Sequence, residues 1–276
     1  MSALPSDVRL VACDLDGTLL LPGGLVPPDL AALVHDLDDA GVLFVPASGR
    51  SAPSVARLFD GVLPVRAGGP TLIADNGACL LHGGEAIVPA TVPPDVVSDL
   101  VAGVRAYAGE HARAAVTVLC APEMAYTDCP DGPLLEQVQA YYSALTRVGD
   151  LHDVDDRIIK VAVADLEGVV GLADAVLAPV ATRADVVRSG AIWADVMPTG
   201  VNKGTALARL QAELGIGREQ TAAFGDHLND LEMLGAADHS YAVEGAEPEI
   251  VDAARHRAPG PMDGGVLTVL RALLAP

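Results

Sequence analysis

Basic residues are scarce in this chain. Of 276 residues, 17 are lysine or arginine against 37 aspartate or glutamate, a formal net charge of −20. Only two of the cations, Lys160 and Lys203, are lysines. So acidic a protein excludes nucleic acid and anionic membranes as partners, because both need a basic footprint. Aromatics are also few: one Trp, five Tyr and three Phe. Stacking on bases or sugars is therefore not a compositional theme, and the core must be built from Val, Leu, Ile and Ala. The four cysteines, Cys13, Cys79, Cys120 and Cys129, are scattered without a C-x-x-C pair. That spacing argues against a zinc site or a disulfide framework and fits the reduced thiols of a cytoplasmic protein. Long apolar runs are missing. Val8–Cys13 and Ile158–Ala164 have the length of strands, short of the ~20 residues a membrane helix needs. Met1–Arg9 lacks a basic stretch followed by an apolar one, so no signal peptide is expected.

What is present is a chain that is 51% hydrophobic, which rules out a disordered acidic tail. At this length roughly three quarters of the unfolded surface can be buried, in one large domain or two smaller ones. The first third alternates strands and helices. Val8–Cys13 reads as a buried parallel strand running into Asp14. Leu30, Leu33, Val34 and Leu37 mark a helix opened by Pro27-Pro28-Asp29 and closed by Gly41. Val42–Val45 is a strand, Ser54–Phe59 a short helix and Thr71–Ala74 a strand. This order implies a parallel α/β sheet with right-handed crossovers. The last quarter returns to the same alternation, with helix Asn202–Leu214, strand Gln220–Phe224, helix Leu228–Leu234 and strand Ser240–Val243, then helices Glu247–Ala254 and Gly264–Leu274.

The middle reads as a separate α+β unit. A hairpin around His82-Gly83-Gly84-Glu85 is followed by helix Pro94–Gly109, strand Val116–Cys120, helix Leu134–Thr146 and strand Arg157–Ala164. Helix Glu167–Ala178 and strands Asp185–Arg188 and Ala191–Val196 complete it. These boundaries predict a core of residues 1–82 and 192–276 with an inserted domain of residues 83–191.

The chemistry lies at the strand ends. Asp14-Leu15-Asp16-Gly17-Thr18 puts two carboxylates two residues apart at the end of a buried strand, where Gly17 permits a sharp turn and where open α/β sheets bind ligands. Such a pair is costly unless a cation joins it. Ser48-Gly49-Arg50 follows the second strand, with a hydroxyl and backbone N–H groups suited to a phosphate. Lys203 opens a helix, and Gly225-Asp226-His227-Leu228-Asn229-Asp230 follows a later strand with two more carboxylates. Singly, each has an ordinary explanation: Ser48 as a helix cap, Lys203 as a solvated first-turn lysine, Asp226 and Asp230 as capping acids. Their joint occurrence in this order points to one phosphate-handling pocket.

These segments resemble the four motifs of the haloacid dehalogenase (HAD) superfamily of phosphohydrolases: Asp14–Thr18 the first, Ser48-Gly49 the second, Lys203 the third, and Gly225-Asp226 with Asn229-Asp230 the fourth. Only 29 residues separate Thr18 from Ser48, too few for a domain, whereas 152 separate Arg50 from Lys203. With Ile73–Ala78 and Gly200–Gly204, this resembles the Cof-type branch with its class IIB α+β cap. The resemblance implies a Rossmann-like core, a cap that closes over it, and Mg²⁺-dependent hydrolysis of a small phosphorylated metabolite, such as a sugar phosphate, through an aspartyl-phosphate. It implies Asp14 as nucleophile and Asp16 as acid and base, with the metal held by Asp14, the Asp16 main-chain carbonyl and Asp226, and Asp230 behind them. Ser48, Gly49, Lys203 and Asn229 would hold the phosphoryl oxygens, with Arg50 and Asn76 as further phosphate or substrate contacts. A sugar phosphomutase or phosphotransferase is the enzymatic alternative; a metabolite-sensing protein that keeps the pocket is the other. A monomer or homodimer is expected.

The chain departs from the family where Gly245 stands in place of an Asn, and where Gly260–Val266 lacks the usual Asn. Lys160 reads as a snorkelling or edge-strand lysine, with an anionic substrate as the alternative. Asp153-Val154-Asp155-Asp156 reads as a solvated loop, His227 as chemically idle, and Trp193 as core or as the joint between the two domains.

Overall fold

A computed structural model describes residues 7–64, 66 and 68–274. Most of the N-terminal segment scanned for a signal peptide, Met1–Ser6, lies outside them. In chain order the elements are β1 (Leu10–Asp14), α1 (Leu30–Asp39), β2 (Leu43–Ala47), α2 (Ala52–Leu58), β3 (Leu72–Ala74), β4 (Cys79–His82) and β5 (Glu85–Ile87). Next come α3 (Pro94–His111), β6 (Ala115–Cys120), β7 (Ala125–Thr127), α4 (Pro133–Tyr141), β8 (Leu145–Arg147), β9 (Lys160–Asp165), β10 (Asp185–Arg188) and β11 (Trp193–Met197). The chain ends with α5 (Lys203–Leu214), β12 (Thr221–Gly225), α6 (Leu231–Gly235), β13 (His239–Val243), α7 (Pro248–Ala253), β14 (His256–Ala258) and α8 (Gly265–Leu273).

The chain divides into two compact units: residues 1–48, 55–87 and 202–276, and residues 49–54 and 88–201. The first holds an eight-stranded sheet in the order β14-β13-β12-β1-β2-β3-β4-β5, parallel from β14 to β3. β1 is central and buried at every residue, as an unbroken Leu-Val-Ala-Cys run should be when both faces are covered. Leu10 lies opposite both Leu43 and Thr221, so the C-terminal ends of β1, β2 and β12 fall side by side. The first crossovers step from β1 toward β3 and the later ones from β12 toward β14. Strand order therefore reverses between β1 and β12, where a parallel sheet leaves a crevice at its carboxyl edge. Leu10, Ala12, Val45 and Ala223 of the sheet form a core with Leu207 and Leu210 of α5 and with Met233 and Leu234 of α6.

The second unit is a six-stranded sheet, β10-β11-β9-β6-β7-β8, antiparallel except for the pair β7 and β8. Alternation along β9 divides its core. Val161 and Val163 pack with Val96, Leu100 and Val104 of α3. Ala162 and Ala164 pack on the other side with Leu134 and Val138 of α4, Cys120, Tyr142 and Trp193.

Several elements differ from the sequence expectation. The hairpin strand β5 belongs to the first sheet and β11, with Trp193, to the second, so the sheets change at 87/88 and between 197 and 202 rather than at 82 and 192. The helix expected over Glu167–Ala178 is replaced by a 3₁₀ turn at Val169–Gly171 and a π-type turn at Ala173–Leu177. Gly168 and Gly171 weaken a helix there, and Gly171 lies so close to the Tyr107 hydroxyl that a Cβ would collide with it. The helix expected over Leu134–Thr146 stops at Tyr141 because Leu145–Arg147 pairs with β7. β7 and β14, three residues each, are too short for periodicity to mark. Among the described residues no helix is long and apolar enough to cross a membrane.

Candidate active site

β1 delivers Asp14, 5% exposed, to the carboxyl edge of the first sheet. The chain turns away at Gly17, whose φ of +89° suits glycine. Its open side is filled by the Asp226 carboxylate, which a Cβ would strike. Thr18, wholly buried, donates from Oγ1 to Asp226 Oδ1 at 2.8 Å. Asp16 stands exposed at the turn, beside a cavity of about 330 Å³ that Leu20, Pro261 and Met262 also line.

Lys203 begins α5. Asn202 caps the helix by accepting from the Thr205 N–H at 2.8 Å, while its own N–H donates to Thr205 Oγ1 at 3.1 Å. The Lys203 side chain is fully buried, and its Nζ donates to Asp14 Oδ1 at 2.5 Å and to Asp230 Oδ1 at 2.7 Å. The other Asp230 oxygen accepts the N–H groups of Asp226 (3.0 Å) and His227 (3.2 Å). Asp230 thus locks the turn after β12 and holds the ammonium against Asp14.

Three carboxylates, Asp14, Asp226 and Asp230, have oxygens within 4.8 Å of one another. Burial, and then Asp230, push the Asp14 carboxyl well above the usual range despite Lys203. Burial likewise raises Asp226 against the hydrogen bond from Thr18. Burial alone would lower Lys203, but Asp14 and Asp230 outweigh it and hold its ammonium firmly protonated. One cation does not balance three crowded carboxylates, and a set of hard oxygen donors of this kind fits Mg²⁺. Cys13, adjacent in sequence, is no rival nucleophile: burial and Asp14 hold its thiol well above the ordinary value.

Ser48, 1% exposed, directly follows β2; its N–H donates to the Ile73 carbonyl at 2.9 Å, and its carbonyl accepts from the Asn76 N–H at 3.0 Å. Asn76 in turn accepts through Oδ1 from Asn229 Nδ2 at 3.0 Å. Asp75 and Asn76 both adopt left-handed conformations, φ +49° and +53°, which are costly for non-glycine residues. That strain turns Asn76 back toward Ser48 and Asn229. Gly49 and Arg50 group instead with the second unit. The Gly49 carbonyl accepts from Lys160 Nζ at 2.7 Å, and the Arg50 guanidinium lies 6.0 Å from the Tyr141 ring centroid.

The remaining candidates stand apart. His227 pairs with Glu247 at 3.0 Å, and Asp156 accepts from the Tyr126 hydroxyl at 2.7 Å. Among the described residues, Asp153, Asp155 and Asp156 join no metal-like cluster. Two residues to which the sequence pattern assigns no role also serve the site. Thr18 is legible only as a hydroxyl in the Asp14–Thr18 turn, and Glu247, whose N–H donates to the Asp226 carbonyl at 2.8 Å, carries no local signal at all.

The profile of the haloacid dehalogenase-like hydrolases matches residues 11–270. The chain is 27% identical to the 5-amino-6-(5-phospho-D-ribitylamino)uracil phosphatase YbjI of Escherichia coli (strain K12), over 97% of this chain and 96% of that protein. It is 28% identical to the HMP-PP phosphatase of Enterobacter sp. (strain 638), over 90% and 88% respectively. A haloacid dehalogenase-like hydrolase from Bacteroides thetaiotaomicron has the same fold, with a TM-score of 0.81 at 22% identity, covering 96% of this chain and 98% of that one.

Proposed function

The chain belongs to the haloacid dehalogenase-like hydrolases, and from that premise we propose that it is a Mg²⁺-dependent phosphatase of a small phosphorylated metabolite. The observation that carries this reading is the constellation of buried Asp14, Lys203 and Asp230 with half-buried Asp226 at the carboxyl edge of the sheet. The two curated relatives, both named as phosphatases of small phosphorylated compounds, support the substrate class.

Asp14 is the nucleophile: one of its carboxylate oxygens bonds to phosphorus as the bond to the leaving oxygen breaks, giving an aspartyl-phosphate. Asp16 gives its proton to the leaving oxygen, then takes one from the water that releases phosphate. Lys203, Ser48 and Asn229 hold the phosphoryl oxygens, where fixed donors stabilise the developing charge. Asp14, Asp226 and the Asp16 main-chain carbonyl would hold the metal, with Asp230 supporting them. The chemistry supplied by Mg²⁺ held there is relief of the repulsion between carboxylate and phosphate. Residues 88–201 are assigned the selection of substrate.

Asp14→Asn keeps the shape and removes the nucleophile. Steady-state assays on p-nitrophenyl phosphate with Mg²⁺ should show turnover lost to background. Wild-type-like activity in this variant would end the assignment. Free phosphate, rather than an isomerised sugar phosphate, is the expected product from a sugar monophosphate.

A further inference from the structure

Lys160 is one of two lysines in the chain, and only 1% of its surface is exposed. It starts β9 opposite Cys120, on the sheet face it shares with Tyr142 and Trp193. The Asp195 carboxylate lies 4.0 Å from its ammonium and the Tyr142 ring centroid 5.8 Å. A buried lysine–aspartate pair gains little stability over a well-packed apolar pair. What it supplies here is a donor at a fixed point, 2.7 Å from the carbonyl of Gly49, the residue that follows Ser48.

The surroundings of Gly49 give that contact its meaning. Ser48 is fixed by the first sheet through Ile73 and Asn76. From Gly49 to Ser54 the chain is fixed by the second unit. Beyond the Lys160 contact, Ser54 Oγ donates to the Tyr141 carbonyl at 2.9 Å and accepts from the Ser143 N–H at 3.0 Å. The turn at Ser48–Arg50 is therefore anchored on one side by sheet hydrogen bonds and on the other by one buried ammonium.

We propose that Lys160 is a positioning residue for phosphoryl transfer, acting through the Gly49 carbonyl to hold the Ser48–Arg50 turn in its phosphate-binding conformation. This rests on the phosphatase reading of the Asp14 site. Removing the donor leaves the half-buried Gly49 carbonyl without this partner and lets the turn relax, and a shift of about 1 Å in a positioned group costs on the order of a hundredfold in rate. Because the turn serves the phosphoryl group, the loss should not depend on the leaving group.

The test compares wild type, Lys160→Met and Lys160→Arg on p-nitrophenyl phosphate and on an alkyl phosphate, with orthovanadate inhibition and thermal melting alongside. For Lys160→Met, kcat/KM should fall about 10- to 100-fold equally on both esters, orthovanadate inhibition should weaken by a similar factor, and Lys160→Arg, which keeps a donor, should recover most of the loss. A loss confined to one ester would make Lys160 a leaving-group contact and overturn the proposal. So would unchanged kinetics with a lowered melting temperature, or an arginine variant no better than methionine. If the methionine variant does not fold, Lys160→Gln, with an amide donor on a shorter arm, enters the same comparison in its place. A wild type inactive on both esters would instead overturn the phosphatase reading, so the two failures are told apart by the unmutated protein.

Discussion

Lys203 shows at residue scale how this acidic protein makes a place for phosphate. Its ammonium bridges Asp14 and Asp230 with no exposure to solvent, so the charge is focused rather than dissipated in water. A compact ammonium can reach two carboxylates, one at the end of β1 and one in the turn after β12, whereas a planar guanidinium would impose its own fork. Gly17 is as tightly specified by its positive φ and by the Asp226 carboxylate beside it. Gly17→Ala should cost about 1–3 kcal/mol in stability from backbone strain and displace Asp226. Thermal unfolding and a Mg²⁺ titration would read both effects, and a variant with wild-type metal affinity would show that the close approach is dispensable.

At the scale of the element, the start of α5 sets where Lys203 points, and the reciprocal cap between Asn202 and Thr205 sets the start of α5. Asn202→Ala should lower stability by about 1 kcal/mol, a melting shift of about 2–4 °C. It should also reduce kcat/KM beyond what the unfolded fraction explains. Intact activity beside a lowered melting temperature would mean that the ion pairs alone place the lysine. The helices and strands that carry the candidate site are legible in the sequence because their apolar patterns are long and end in chemically loaded turns. α5 begins within a residue of its expected start, and β1 ends at Asp14. Asn76 is harder to read, since its place beside Ser48 and Asn229 depends on two left-handed residues that composition does not announce. Proximity in the chain to Ser48 assigns the segment 49–54 to the core; long-range hydrogen bonds from Lys160, Tyr141 and Ser143 decide otherwise.

For the molecule as a whole, a net charge of −20 and a crowded trio of carboxylates, two of them buried, set a requirement for counter-charge. A cation that binds only the folded state stabilises it by mass action, by roughly 2.7 kcal/mol at a concentration a hundred times its Kd. Mg²⁺ should therefore raise the melting temperature of the EDTA-treated protein, and Asp226→Ala should abolish the increment. A melting curve indifferent to both EDTA and Mg²⁺ would show that the trio needs no ion.

The interleaved boundary between the two units also bears on how such a protein can be cut and recombined. Residues 88–201 form one continuous insertion, which invites transplantation onto another scaffold as a cassette. The transplant would arrive without Gly49–Ser54, the stretch that Lys160, Tyr141 and Ser143 grip, and the recipient's own loop would have to supply a carbonyl and a hydroxyl at the same points. A working chimera thus needs two grafts rather than one: the long insertion and a six-residue patch from far upstream.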